Sequence, residues 1–280
     1  MPIHTRFAPS PTGRLHLGHA FSAIQAHDFA RAQGGSFNLR IEDIDGTRSR
    51  PEHVAAILAD LDWLGLAWDE PPMFQSQRLP HYQAALDRLR EQGLLYPCFC
   101  TRADIAASLS APHGPDGALY PGTCRALAAP DLARPHSWRL DMRAALARTG
   151  PLAWHDAHAG TIAADPQSHG DVILARKDAP ASYHLAVTVD DAAQGITHVV
   201  RGVDLFAATH VHRLLQALLD LPTPEYRHHA LLAGPDGKRL AKRHGAPTLE
   251  SLRLAGEDGR ALADTLRKGE VPIGFGQMEA

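Results

Sequence analysis

The chain has 280 residues, 44% of them hydrophobic and 21% charged, with a formal net charge of −3. That length suffices for one large domain or two modest ones with a sizeable core. The near-neutral charge excludes a partner held by bulk charge alone, although a local basic face fits within a neutral total.

No run approaches the ~18–20 consecutive apolar residues of a membrane span, and the opening MPIHTRFAPS has no basic region leading into an apolar core. The three cysteines are an odd number confined to positions 98–124. A reduced, cytoplasmic protein without a disulfide framework is therefore expected, and nothing in the sequence demands more than a monomer.

In chain order, residues 3–8 predict a short buried strand ending at Pro9, followed by a turn forced by Pro9, Pro11 and Gly13. Leu17, Ala20, Phe21, Ile24 and Phe29 then recur at helical spacing up to Gly34-Gly35. In SFNLRIEDID, Phe37, Leu39 and Ile41 alternate with Asn38, Arg40 and Glu42, which predicts a strand with one polar side. Strand, helix and strand in 45 residues predict a parallel βαβ unit, whose ligands would bind at the carboxyl ends of the strands.

Residues 52–66 and 78–93 read as two further helices. From about 97 to 170 the texture changes to cysteine, proline, glycine and alanine, which reads as an insertion with its own small fold. DVILAR, YHLAVTVDDA and ITHVVRG read as strands, so the sheet is expected to resume near Asp171, followed by a helix in DLFAATHVHRLLQALLDL. No aromatic-interleaved basic stripe stands out along the chain.

Three groups of residues carry chemistry. PSPTGRLHLGHA places His16 and His19 around Gly18 at the start of a helix. Unpaired N–H groups and the positive dipole end favour phosphate there, and Gly18 leaves room for a flat base. Far downstream, GPDGKRLAKRHG packs Lys238, Arg239, Lys242 and Arg243 between glycines, a loop suited to a triphosphate. Cys98, Cys100 and Cys124 offer three thiolates for a tetrahedral zinc ion, with His113 or Tyr120 as the fourth ligand. By general chemistry alone the histidine is favoured.

RFAPSPTGRLHLGHA and RLAKR resemble the two signatures of class I aminoacyl-tRNA synthetases, and FNLRIEDID and YHLAVTVDDAAQGITHVVRGVDL are similar to the glutamyl members, from about residue 5 to 250. The chain ends about 35 residues after its basic loop, without the helical region with which glutamyl-tRNA synthetases read the anticodon. That short architecture resembles the glutamyl-Q tRNA(Asp) synthetase family.

The resemblance implies an α/β fold: a Rossmann-like parallel sheet split by a zinc-bearing α+β insertion. Residues 1–96 and 171–250 would form the catalytic domain, 97–170 the insertion and 251–280 a short C-terminal extension, with no anticodon-binding domain. The implied activity is ATP-dependent activation of L-glutamate without tRNA, then transfer to the queuosine base in the anticodon of tRNA(Asp). Arg6 and Arg201 match the family's carboxylate-binding arginines, Glu42 the acid facing the ammonium, and Ser10 and Tyr183 neutral partners. Phe7, Ala8 and Pro9 complete the glutamate-binding stretch.

His16, Gly18, His19 and Lys242 match the ATP-binding residues, His16, His19 and Lys242 being catalytic, with Mg²⁺ accompanying ATP. The pattern Cys-x-Cys…Tyr-x-x-x-Cys selects Tyr120 as the fourth ligand of one structural Zn²⁺. Ala241 departs from the family's serine in the basic loop, a loss of one hydrogen bond worth about 0.5–1.5 kcal/mol. Two other readings are a shortened glutamyl-tRNA synthetase charging the tRNA 3′ end, and an inactive paralogue that binds nucleotide or RNA.

Overall fold

A computed structural model describes residues 2–101, 104, 119–233 and 247–268, together with the backbone of 276 and 277. The expected βαβ unit is present: β1 (His4–Phe7), helix α1 (Leu17–Ala32) and β2 (Ser36–Ile41), with β1 parallel to β2 and Arg6 opposite Asn38. Gly35 permits the return, because a Cβ there would lie 2.2 Å from the Ile3 carbonyl oxygen. Helix α2 (Pro51–Trp63) starts on Pro51, whose ring presets the first helical φ. It leads to β3 (Met73–Phe74), which pairs parallel with β2.

Helix α3 (Leu79–Glu91) leads to β4 (Leu95–Cys98), which with β5 (Ser137–Leu140) and β8 (Ile173–Ala175) forms a separate antiparallel sheet. Between β5 and β8 lie α4 (Met142–Thr149) and the hairpin of β6 (Ala153–Asp156) and β7 (Gly160–Ala163). After α5 (Tyr183–Ala193) the chain forms β9 (His198–Gly202), α6 (Ala208–Leu218) and β10 (Glu225–His229). β10 runs parallel to both β9 and β6. Strand pairing therefore runs from the 97–170 stretch into the sheet of β9 and β10.

β1 meets the start of β9, where the His4 N–H donates to Thr197 Oγ1 at 2.8 Å and the Thr197 N–H to the His4 carbonyl at 3.0 Å. The two parallel sheets thus abut, and the carboxyl ends of β1, β2 and β9 converge on one cavity. One core packs α1 against β1 and β2 through Phe21, Ile24, Phe37 and Leu39, and includes Ala263 and Leu266 near the C-terminus. Those two residues sit on α8 (Gly259–Arg267), preceded by α7 (Leu249–Leu254). A second core joins α3, α5 and α6 through Tyr82, Leu185 and Leu214.

Two expectations change. YHLAVTVDDA is the helix α5, not a strand. Its β-branched Val187, Thr188 and Val189 are a weak prior against helix, whereas Ser182 caps the first turn and Gly195, at φ +62°, sits just past its end. β8 pairs antiparallel with β5, so the strand after Asp171 does not rejoin a parallel sheet, whereas β6, β9 and β10 pair in parallel. The polar side of β2 faces the interior: Asn38 and Arg40 are as buried as their apolar neighbours. Among the described residues no helix is long and apolar enough to cross a membrane.

Candidate active site

The Pro9–Gly13 turn is pinned to neighbouring backbone, with the Glu42 N–H donating to the Pro9 carbonyl at 3.0 Å and the Arg50 N–H to that of Pro11. Its exit delivers His16 as the N-cap of α1. His16 Nδ1 accepts from the Gly18 N–H at 3.1 Å, and His19 Nδ1 accepts from the His16 N–H at 3.2 Å. Two histidines thus fill a capping box that serine and glutamate usually form. With both Nδ1 atoms accepting, the neutral rings carry their protons on Nε2. The rings lie 3.8 Å apart. Gly18 makes room for the His16 ring, which a Cβ would meet at 3.0 Å.

Residues that follow the downstream basic loop in sequence meet this turn. Thr248 bridges His16 in antiparallel fashion, and the Leu249 N–H donates to the Leu15 carbonyl at 2.9 Å. Before the loop in sequence, Leu231 and Leu232 line the cavity. Lys242, Ala241 and the rest of 234–246 lie outside the described residues.

Beside the turn, Arg6 is 4% exposed and donates from Nε to Asp191 at 2.9 Å. Arg40 donates to the same carboxylate oxygen at 2.7 Å and to Gln194 at 2.9 Å. Burial alone would raise the Asp191 carboxyl, but Arg6 and Arg40 together hold it below its ordinary 3.8. Glu42 is different. Its contact with Arg40 is longer, 3.5 Å, and burial pushes its carboxyl above the ordinary 4.5 despite Arg40 and Arg6. An arriving cation would relieve that penalty.

Across the cavity, Arg201 is held from several sides. Its NH2 donates to Thr209 Oγ1 at 2.7 Å and the Leu205 carbonyl at 3.1 Å, and its Nε to His228 Nε2 at 3.2 Å. The NH1 group, with longer bonds to the Tyr183 hydroxyl at 3.2 Å and His212 at 3.4 Å, is the one a substrate would engage most readily. His228 Nδ1 lies 2.8 Å from the Asp156 carboxylate. Burial and the Arg201 charge push the His228 pKa down to about 4, so the ring is neutral at pH 7, with Nδ1–H on Asp156 and a bare Nε2 facing Arg201.

These groups surround one cavity of about 670 Å³. Arg6, Phe7, Ala8, Pro9, Ser10, Glu42, Tyr183 and Arg201 all line it, as do His16, Gly18 and His19. The structure therefore gathers around a single space every described residue that the sequence suggested for glutamate and ATP. Asp191, Arg40, Asp156 and His228 were not singled out. The two aspartates lie 35 residues apart in the chain, Asp191 in a segment read as strand and Asp156 in the presumed insertion.

The sulfur atoms of Cys98, Cys100 and Cys124 lie within 4.8 Å of one another, with Cys100 and Cys124 at 3.5 Å. Thiolates bonded at about 2.3 Å to a tetrahedral ion sit about 3.8 Å apart, so the donor set fits such a metal. The Tyr120 hydroxyl lies 3.6 Å from the Cys100 sulfur and accepts from the Cys124 N–H at 2.8 Å. Arg139 stacks over its ring at 3.8 Å. His113, the other fourth ligand considered, lies outside the described residues.

Beside the thiols runs a ladder only partly visible in linear order. Arg134 lies over Phe99 at 5.1 Å, His136 sits 5.7 Å from Phe99 and 4.9 Å from Trp138, and Arg90 lies over Trp138 at 5.8 Å. Folding adds Phe99 and Arg90 to Arg134, His136 and Trp138, which already alternate along one stretch.

Residues 2–268 match the family model for tRNA synthetases class I (E and Q), catalytic domain. The chain is 52% identical over 267 residues to the glutamyl-Q tRNA(Asp) synthetase of Rhodobacter capsulatus, covering 90% of this chain and 95% of that protein. It is 47% identical over 262 residues to the protein of the same name from Symbiobacterium thermophilum, covering 90% and 81%. Among solved structures it is similar to a glutamate tRNA ligase from Elizabethkingia meningosepticum, with a TM-score of 0.73 and 28% identity. That match covers 89% of this chain and 54% of the ligase, so the chain spans about half the length of that solved relative.

Proposed function

The chain belongs to the class I tRNA synthetases (E and Q), and from that premise we propose that it activates L-glutamate with ATP without tRNA, then transfers glutamate to the queuosine base in the anticodon of tRNA(Asp). The observation that carries this reading is the shared cavity, in which two buried arginines and Glu42 adjoin the His16–Gly18–His19 helix start. The names of the similar curated proteins support the transfer step.

Glutamate brings two carboxylates and one ammonium. The guanidinium groups of Arg6 and Arg201 suit the carboxylates, and Glu42 suits the ammonium. Ser10 and Tyr183 supply neutral hydrogen bonds, while Phe7, Ala8 and Pro9 shape the floor. In the first step an α-carboxylate oxygen of glutamate attacks the α-phosphorus of ATP, and the bond to the leaving pyrophosphate breaks. No side chain becomes a nucleophile; positioning and charge stabilisation carry the step. The Nε2–H groups of His16 and His19 donate to phosphate oxygens, Gly18 lies beneath the nucleotide, and Lys242 neutralises pyrophosphate, with Mg²⁺ accompanying ATP.

Cys98, Cys100, Cys124 and Tyr120 would hold one Zn²⁺, which supplies a structural crosslink when bound. A reducing cytoplasm keeps the three thiols available for it. For the RNA, the ladder from Arg134 to Arg90 offers the mixture of cations and π-faces that unpaired bases favour.

Glutamate-dependent exchange of pyrophosphate into ATP, without any tRNA, tests the activation step. Exchange that needs glutamate and not tRNA supports the reading. No exchange by folded, metal-replete protein overturns it and favours a nucleotide- or RNA-binding paralogue.

A further inference from the structure

Ser22 lies one helical turn after His19 on α1, and His229 ends β10; both line the cavity. Ser22 Oγ and His229 Nε2 are 3.1 Å apart, linking positions 207 residues distant. His229 Nδ1 sits 2.8 Å from the Ala230 carbonyl oxygen. A carbonyl only accepts, so Nδ1 carries a proton. Burial holds this ring below the ordinary 6.5, and in the neutral ring Nε2 is then a bare lone pair. The Ser22 hydroxyl must donate to it, which commits its only proton. Its oxygen therefore meets the cavity as an acceptor and not as a donor.

Phe21, Val200, Leu231 and Leu232 line the same cavity together with Asp204, and Phe21 meets the His229 ring edge-on at 5.2 Å. Apolar side chains with an oriented acceptor among them, one turn from the start of α1, suit the nucleoside part of a nucleotide.

We propose that Ser22 and His229 form a nucleoside-reading pair, in which Ser22 Oγ accepts a hydrogen bond from a donor on ATP, either the 6-amino group or a ribose hydroxyl. The pair rests on the reading that this cavity takes ATP. His229 acts through Ser22 as a positioning residue: it fixes the direction of the serine proton. A 6-oxo purine would present an acceptor to an acceptor, so the pair disfavours ITP if it reads the base. A deoxy sugar would lack the donor, so the pair disfavours 2′- or 3′-deoxy-ATP if it reads the ribose.

The test is titration of ATP, ITP, 2′-deoxy-ATP and 3′-deoxy-ATP against the wild type, Ser22→Ala and His229→Leu, alongside pyrophosphate exchange. Binding is read even in protein that catalyses no exchange, so failure of the pair and failure of the activation reading are distinguishable. Ser22→Ala is expected to weaken ATP about tenfold and to collapse one discrimination ratio, ATP over ITP or ATP over one deoxy nucleotide. The ratio that collapses identifies the donor. His229→Leu frees the serine proton to donate: if the pair reads the base, the ratio falls in part because ITP improves, a gain that lost packing would not produce; if it reads the ribose, the ratio falls by weakening ATP alone. Ratios within twofold of wild type in both variants would overturn the proposal.

Discussion

Asp191 accepts from Arg6 at 2.9 Å across 185 residues of chain, and the same carboxylate oxygen accepts from Arg40 at 2.7 Å. One helix thereby aims the arginine of β1 that lines the cavity. Removing one partner from a buried ion pair costs about 3–5 kcal/mol. Asp191→Asn is expected to lower stability by that order in urea unfolding and to raise the glutamate KM more than tenfold. Because the folded state holds Asp191 below its ordinary 3.8, its contribution is complete above that pH and is lost as pH falls below it.

His228 gives a pH signature at a higher range. Its folded pKa is depressed to about 4, so the unfolded chain binds a proton first as pH falls below the ordinary 6.5. Stability is full above that value and declines towards pH 4, by about 2 kcal/mol between pH 7.5 and pH 5 from this one group. His212, also held down by burial, adds to the slope. His228→Gln is expected to flatten the slope by the His228 share, measured by urea unfolding at both pH values. His228→Leu should in addition raise the glutamate KM, because leucine offers the Arg201 Nε–H no acceptor.

His16 combines a cap with a phosphate donor, and two substitutions separate the roles. His16→Ala loses the cap, at about 1 kcal/mol, and slows exchange. His16→Asn restores a good cap, so thermal stability should return, while exchange stays about 10²–10³-fold slow. Recovery of the rate with Asn would assign His16 to structure alone.

Cys124→Ser is expected to abolish stoichiometric zinc binding and to lower the unfolding temperature. Tyr120→Phe should keep the metal but release it faster to a chelator, and His113→Ala should behave as wild type. Fast release from the histidine variant would assign the fourth position to His113.

Charge reversal at both ends of the ladder, Arg90→Glu with Arg134→Glu, is expected to weaken tRNA binding at least tenfold and leave tRNA-independent exchange unchanged. Filter binding and exchange on the same preparation check this.

The site was legible in the sequence where its residues are contiguous or carry a family pattern. Arg6 to Ser10, His16 and His19 lie in one contiguous stretch of chain, and alternation marked Glu42. The supports of those residues were not legible. Asp191 aims Arg6 from a helix that its β-branched residues disguised, and Asp156 reaches Arg201 only through His228, along a strand inside the apparent insertion. Alternation gave β2 one polar side but not that both sides are buried. The ladder of Arg134, Phe99, His136, Trp138 and Arg90 exists only once three separated stretches are brought together.

The central claim is the destination of the glutamate. The most direct measurement is transfer of radiolabelled glutamate to purified tRNA(Asp) with and without queuosine, and to tRNA(Glu), with ATP present. Label that enters only queuosine-bearing tRNA(Asp), and still enters it after removal of the 3′-terminal adenosine, is the result predicted. Label on tRNA(Glu) that such removal prevents would contradict the account and identify a shortened glutamyl-tRNA synthetase.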